Sequence, residues 1–327
     1  MTDCTQNAAL PLRDQHPAPS ALTEQLIAGL SEDPKRVSSL YLYDERGSRL
    51  FERICTLPEY YLTRTEIAIL DAHGDDIAAR IGPDALLVEF GSGASLKTRL
   101  LLDRLVRPCA YVPVDIARAA LLEAARSITR DYPGLEVLPV CADFMRPFDL
   151  PEPRRPAQRS VVFFPGSTIG NFDEPDAIAL LERMRQVAGT GGGLVIGTDL
   201  VKDVSLLKQA YDDAAGVTAE FNRNVLLRLN REFGAGFVPE AFRHEAVWSD
   251  AHSRIEMHLV SLRKQSVEID GTRIAFLPGE RLVTEHCHKY TLAGFAALAA
   301  VAGWRVDRAW TDPRGWFGVQ YLEPASV

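Results

Sequence analysis

The sequence is short of several things, and each shortage closes a class of function. It has no apolar run approaching the roughly 18 residues of a spanning helix, so no transmembrane helix is expected. No basic patch followed by an apolar stretch opens the chain, so no signal peptide is expected either. Basic charge is in deficit, 36 Lys and Arg against 44 Asp and Glu, a formal net charge of -8. A nucleic-acid platform would need a basic face, so nucleic acid is not an expected partner. Cysteine is sparse: Cys4, Cys55, Cys109, Cys141 and Cys287 are odd in number, scattered and without a CxxC pair. That argues against a disulfide framework or a zinc knuckle and fits a reducing cytoplasm. What remains, 327 residues at 46% hydrophobic and 24% charged, is enough for one large domain or two modest ones acting on a small molecule, with a monomer expected.

Residues 1–20, rich in Pro and polar groups and without periodicity, read as a flexible tail. "LTEQLIAGL" and "RLFERICTL" have helical spacing, and Thr63 or Thr65 could cap the helix in "EIAILDAHGDDIAARI". Five short apolar runs then alternate with amphipathic helices: "ALLVEF", "AYVPVDI", "LEVLPVCADF", "SVVFFPGSTIGNF" and "GGGLVIGTDL". This rhythm predicts parallel strands joined by right-handed crossovers, a doubly wound α/β sheet whose ligands sit beyond the C-terminal strand ends. After Leu200, "SLLKQAYDDAAGVTAEFNRNVLLRLNREF" reads as long and helical, and alternating runs follow with a hairpin signal at Asp270-Gly271. The sheet resumes with a helix in "LAGFAALAAVAG" and strands in "WRVDRAW" and "WFGVQYL". A terminal antiparallel pair on a five-stranded parallel sheet is the Rossmann-like pattern of S-adenosylmethionine (SAM) methyltransferases, by analogy of fold. The expected division is a SAM-binding domain over 66–200 and 288–327, with a mixed α+β substrate domain over 21–65 and 201–287.

The stretch "VEFGSGASLKTRLLL" decides the cofactor. A P-loop needs a glycine directly before its lysine, but Leu96 precedes Lys97 and Thr98, and its side chain would obstruct a backbone wrapped on phosphates. No apolar strand ending in a magnesium-binding Asp follows. A dinucleotide fingerprint is met at Gly91 and Gly93 and fails at Leu96, where the third glycine would serve a pyrophosphate. SAM has no pyrophosphate. Gly91 and Gly93 allow the tight turn beneath its methionine moiety. Asp115 ends the next strand about 20 residues on, where a ribose acceptor belongs. Asp143 ends the third strand, placed for the adenine amine, with Phe144 beside it to cover the ring. A lone strand-end Asp is as often a helix cap; Gly, Asp and Asp in order on three strand ends favour SAM.

Fold alone does not name the methyl acceptor. However, "YDERGSRLFE", "LPEYYLTRTE", "GSTIGN", "GTDLVKD", "AYDDAAGVTAEFNRNVL", "RIEM" and "TEHCHKY", with the glycine stretch, resemble the histidine Nα-methyltransferases of ergothioneine biosynthesis. The resemblance runs from about residue 40 to "TDPRGWFG". It implies a metal-free, SAM-dependent enzyme that methylates the α-amine of free histidine three times to give hercynine. It adds Lys97 to the SAM contacts. It makes Tyr60 a histidine contact, Asn171 and Tyr211 the groups holding the amino acid's carboxylate and amine, and Tyr43 a tyrosine near the amine. Met257 then lines the side-chain pocket and Glu285 anchors the imidazole. On spacing alone Tyr60 and Tyr61 read as helix-packing aromatics, Asn171 as a turn residue, Met257 as core and Glu285 as a solvated carboxylate.

Two features depart from or compete with that reading. Cys287 stands where the family pattern has Ser, followed by His288, and His286 replaces a usually apolar residue. On a strand Cys287 shares the face of Glu285 and should meet the same ring. The cluster "EHCH", with His244, His252 and His258 upstream, also suggests a metal. But His286 and His288 would face away from Glu285 and Cys287, and a tetrahedral site would need two further ligands, so no functional metal is expected. The alternatives to histidine methylation are the same chemistry on another amino acid or a modified histidine, and a non-catalytic SAM-binding or scaffold protein.

Overall fold

The structure is a computed structural model and describes residues 10–15, 19–93 and 96–325. Its main sheet runs Arg13–Gln15, Val140–Ala142, Ala110–Asp115, Ala85–Phe90, Arg159–Phe164, Gly193–Asp199, Phe317–Pro324 and Trp304–Thr311, with Glu136–Val137 paired off this path to Ala110–Asp115. The first six are mutually parallel. The last two are antiparallel, as the terminal runs predict. From Ala85–Phe90 the chain first builds outward on one side, then returns to start Arg159–Phe164 on the other. This reversal is the switch point at which a doubly wound sheet opens a crevice.

Strand side chains divide between two apolar cores with a period of two. Val161 and Phe163 join the core that includes the helix Tyr61–Ile81, while Val162 and Phe164 join the core under the helices Glu174–Ala188 and Leu292–Val301. A second sheet runs Lys35–Arg36, Arg281–His288, Arg254–Ser261, Phe242–Ser249. It packs through the helices Glu45–Cys55 and Val217–Phe233 into the first of those cores, which continues from Leu87 to Met257 and Cys287. The hairpin Gln265–Ile269 to Thr272–Phe276 turns at Asp270 and Gly271, with φ of 47° and 74°, the two positive values that a type I′ turn requires.

Four local expectations change. Within the presumed tail, residues 1–9 and 16–18 lie outside the described residues, but Arg13–Gln15 is a strand paired in parallel with Val140–Ala142. The Gln15 amide bonds the Asp149 backbone from both sides, at 3.1 Å each, which substitutes for apolar periodicity. The strand in "LEVLPVCADF" is broken into Glu136–Val137 and Val140–Ala142, because Pro139 between them has no N–H to donate. The helix expected to be capped by Thr63 or Thr65 already starts at Tyr61, and Thr65 bonds back to the Tyr61 carbonyl at 2.8 Å. The long helix after Leu200 is two, Val204–Tyr211 and Val217–Phe233. The Asp213 carboxylate accepts from the backbone N–H of Val217 and Thr218, at 3.0 and 2.7 Å, and so starts the second.

Candidate active site

The C-terminal ends of the parallel strands gather the expected cofactor residues. Gly91 and Gly93 have φ of 72° and 44°, which turns the chain sharply as it leaves Ala85–Phe90. A Cβ on Gly91 would meet nothing nearer than the Phe144 ring at 3.9 Å, so the glycine keeps that approach open. Ser92, between them, is buried, and its hydroxyl has no partner among the described residues. Asp115 ends its strand with one oxygen on the Ala117 N–H at 2.8 Å and the other 3.5 Å from the Gly93 N–H. Burial raises its pKa, against the pull of those N–H groups. Asp143 accepts from Met145 N–H at 2.9 Å and lies 3.4 Å from Arg146. Phe144 stacks on Phe90, ring centroids 5.6 Å apart and 29° between planes. Lys97 reaches the buried carboxylate of Glu66 at 2.5 Å, and Glu66 also accepts from Gly166 N–H at 2.9 Å. An acidic anchor thus fixes both the lysine and the "GSTIGN" turn.

The acceptor-side residues meet around one strand. Arg254–Ser261 pairs with Arg281–His288 so that Met257 lies directly opposite Glu285, and the register then shifts: His258 faces Val283 and leaves Thr284 over. That extra residue is tied by its hydroxyl to Asn222 at 2.6 Å and to the Met257 carbonyl at 3.0 Å. The bulge turns Glu285 inward, 7% exposed, which overturns the solvated reading. One Glu285 oxygen accepts from the Asn171 amide at 3.1 Å, and the other faces the Cys287 thiol at 3.4 Å. Burial lifts the Glu285 pKa to about 7, opposed by the contact with Cys287, the charge of Lys289 and the Tyr43 hydroxyl. Burial and the Glu285 charge push the Cys287 thiol well up, so it stays protonated.

Aromatic rings wall the same space edge to face: Tyr43 on Phe51 and Phe221 at 5.5 Å each, Tyr60 on Phe51 at 6.0 Å, and Tyr60 on Tyr211 at 6.1 Å. Burial raises all three phenol pKa values, so these hydroxyls remain donors. Asn171 ends the short 3-10 turn Thr168–Asn171, pressed onto the strand at Gly170, where a Cβ would come within 2.8 Å of the His288 carbonyl oxygen. Tyr43, Tyr60, Asn171, Tyr211, Met257, Glu285 and Cys287 therefore form one neighbourhood. His286 and His288 point out of it, as alternation requires, and meet Asp173 instead.

Sequence reasoning missed the charged floor beneath Tyr211. Asp199, ending Gly193–Asp199 and fully buried, takes Lys202 at 2.6 Å, Lys289 at 2.9 Å and the Tyr61 hydroxyl at 2.7 Å. Lys289 also donates to the Tyr211 oxygen at 2.8 Å. Burial lowers the Lys202 pKa to about 8, against the pull of Asp199. The signal was available: extending the alternation of Glu285 and Cys287 by two residues puts Lys289 on the same face.

A parallel sheet with this switch point, a glycine turn and carboxylates on successive strand ends defines a SAM-dependent methyltransferase. Within that class the chain belongs to the family of histidine-specific, SAM-dependent methyltransferases, whose pattern it matches over residues 22–324. It is 42% identical over 309 residues to the histidine N-alpha-methyltransferase of Mycolicibacterium smegmatis, covering 92% of this chain and 94% of that protein. The histidine N-alpha-methyltransferase of Mycobacterium tuberculosis is also 42% identical, over 304 residues, covering 91% of this chain and 94% of that one. Ergothioneine biosynthesis protein 1 of Neurospora crassa is 30% identical over 291 residues, which span 86% of this chain and 32% of the fungal protein. No helix among the described residues is long and apolar enough to cross a membrane.

Proposed function

We propose that this enzyme transfers methyl groups from SAM to the α-amine of free L-histidine, giving hercynine in ergothioneine biosynthesis. One observation carries the acceptor: a buried carboxylate, Glu285, sits opposite Met257 beside Tyr43, Tyr60 and Tyr211, where a ligand that donates a hydrogen bond would offset the cost of its burial. An imidazole N–H suits that carboxylate, and the negative charge favours a protonated ring. Asn171 and Tyr211 supply an amide and a phenol for the amino acid's carboxylate and amine. Lys289 donates to the Tyr211 oxygen, which leaves the phenol proton free to point into the pocket. Tyr43 and Tyr60 offer oxygen acceptors to the neutral amine that must attack, and ring faces to the ammonium that grows there.

The cofactor residues fit SAM: a Ser92 hydroxyl with no partner among the described residues in an open glycine turn, one Asp115 oxygen 3.5 Å from the Gly93 N–H, and Phe144 against the turn. In this reading Gly91, Gly93 and Lys97 hold the methionine moiety, Asp115 the ribose, and Asp143 with Phe144 the adenine. SAM supplies the sulfonium leaving group, and the chain contributes position and a dry site. Four free cysteines among the described residues support a cytoplasmic setting.

A second reading is favoured by Cys287, whose thiol sits where a better hydrogen-bonding group would serve an imidazole. In it the acceptor is a ring-modified histidine or another amino acid. Mass spectrometry of the enzyme with SAM and each common amino acid in turn decides. Histidine should gain three methyl groups. Preferential methylation of another amino acid, or of none, overturns the assignment.

A further inference from the structure

We propose that Asp173, His286 and His288 form a binding site for a divalent transition metal of the zinc class, on the face of the strand turned away from the acceptor pocket. His286 Nδ1 and His288 Nε2 converge on the same oxygen of Asp173, at 3.0 and 3.1 Å. The three ligand atoms all lie within 4.8 Å of one another. Two imidazole nitrogens and a carboxylate oxygen make a three-ligand set that leaves a fourth, tetrahedral position for water. Asp173 stands at the N-cap of the helix Glu174–Ala188 with extended backbone, yet its side chain makes no capping bond. A capping Asp ordinarily accepts from the first-turn N–H groups; this one is turned onto the histidines.

The surrounding charges permit the exchange. Arg254 Nη1 lies 2.6 Å from the same Asp173 oxygen, and Arg36 lies 3.6 Å from the other. Arg254 also holds Glu256 at 2.7 Å, so it keeps an ion pair when it yields its place on Asp173. Glu256 in turn accepts from His258 at 3.0 Å. Asp173 is a carboxylate and can only accept, so in the metal-free protein the ring nitrogen facing it carries the N–H. On binding, that proton leaves the facing nitrogen, for the ring's other nitrogen or for solvent, and the freed lone pair takes the metal. Side-chain exposures of 11%, 16% and 34% leave a route from solvent.

Chelator-treated full-length enzyme titrated with Co2+ tests the site. One equivalent should give the visible absorption of four-coordinate cobalt, and Zn2+ should displace it. The double variant His286→Ala/His288→Ala should bind at least tenfold more weakly, while SAM binding, measured on the same sample as a check of folding, is unchanged. Asp173→Asn, which keeps an acceptor for both rings, should show the same loss. Absence of one-to-one binding overturns the proposal. So does binding equally tight in the variants, or an intense sulfur-to-cobalt band that would put the metal on Cys287.

Discussion

Glu285→Gln should make the ligand-free enzyme more stable in alkaline solution and less able to bind its acceptor. The Glu285 carboxyl is buried, and its pKa rises from the usual 4.5 to about 7. At about 1.4 kcal/mol per tenfold change in proton affinity, that corresponds to about 3 kcal/mol. The sign follows from where the proton is held. Between pH 4.5 and 7 the unfolded chain has released this proton and the folded one keeps it, so stability falls as pH rises through that window. Below it both states are protonated, above it both are charged, and the contribution is flat. Glutamine keeps the shape and an acceptor for the Asn171 amide but does not titrate. Urea denaturation of both proteins from pH 4 to 8.5 reads the difference between them, which cancels every other titrating group. The variant should gain about 3 kcal/mol over the wild type across the window. Saturating histidine should narrow that gap, because a bound imidazolium neutralises the wild-type carboxylate. A difference independent of pH would refute the reasoning and return Glu285 to a solvated or permanently paired carboxylate.

Two further expectations concern its neighbours on the strand. Lys289→Met removes one of two lysines from the buried Asp199; with Lys202 and Tyr61 still in place, the loss of stability should be about 3 kcal/mol, the low end for a broken buried pair. Where the variant folds, the histidine KM should rise and the SAM affinity hold, since Tyr211 loses the donor that orients its hydroxyl; equal losses for both ligands would make Lys289 purely structural. Cys287→Ser should tighten histidine binding several-fold, by about 0.5–1.5 kcal/mol, and leave SAM binding alone, because a hydroxyl donates and accepts better than a thiol. A wild type nearly silent on saturating histidine, with activity appearing only in Cys287→Ser, would sink the histidine assignment and leave the methyltransferase standing.

The sheet was legible because its strands are covered on both faces and therefore read as unbroken apolar runs, as in "ALLVEF" and "GGGLVIGTDL". The glycine turn and the strand-end carboxylates were legible because their spacing follows from that architecture. Arg13–Gln15 was not, since its place depends on backbone pairing and a glutamine–backbone exchange that leave no hydrophobic pattern. The Asp199, Lys202 and Lys289 cluster was hidden for a different reason. Charged residues are read as surface by default; strand alternation could have put Lys289 on the inward face, but only the long-range meeting of two elements shows that Asp199 and Lys202 neutralise it there. Asp173 escaped because an Asp before a helix has an ordinary explanation as a cap, and its failure to cap is visible only in three dimensions.

A single bulge reconciles these parts. Were the pairing of Arg254–Ser261 with Arg281–His288 continued without a shift from its far end, Thr284 would stand opposite Met257 and take the inward place of Glu285. A slip of one residue exchanges the two faces of a strand. His286 and His288 would then enter the pocket, and Glu285, Cys287 and Lys289 would face Asp173, carboxylate against carboxylate. The Thr284 hydroxyl, held by Asn222 and the Met257 carbonyl, blocks that slip. So do the contacts on both faces, the ion pair of Lys289 with Asp199 inside and the hydrogen bonds of the histidines to Asp173 outside. The register that aims the acceptor-side carboxylate is thus fixed by groups that need never touch the substrate.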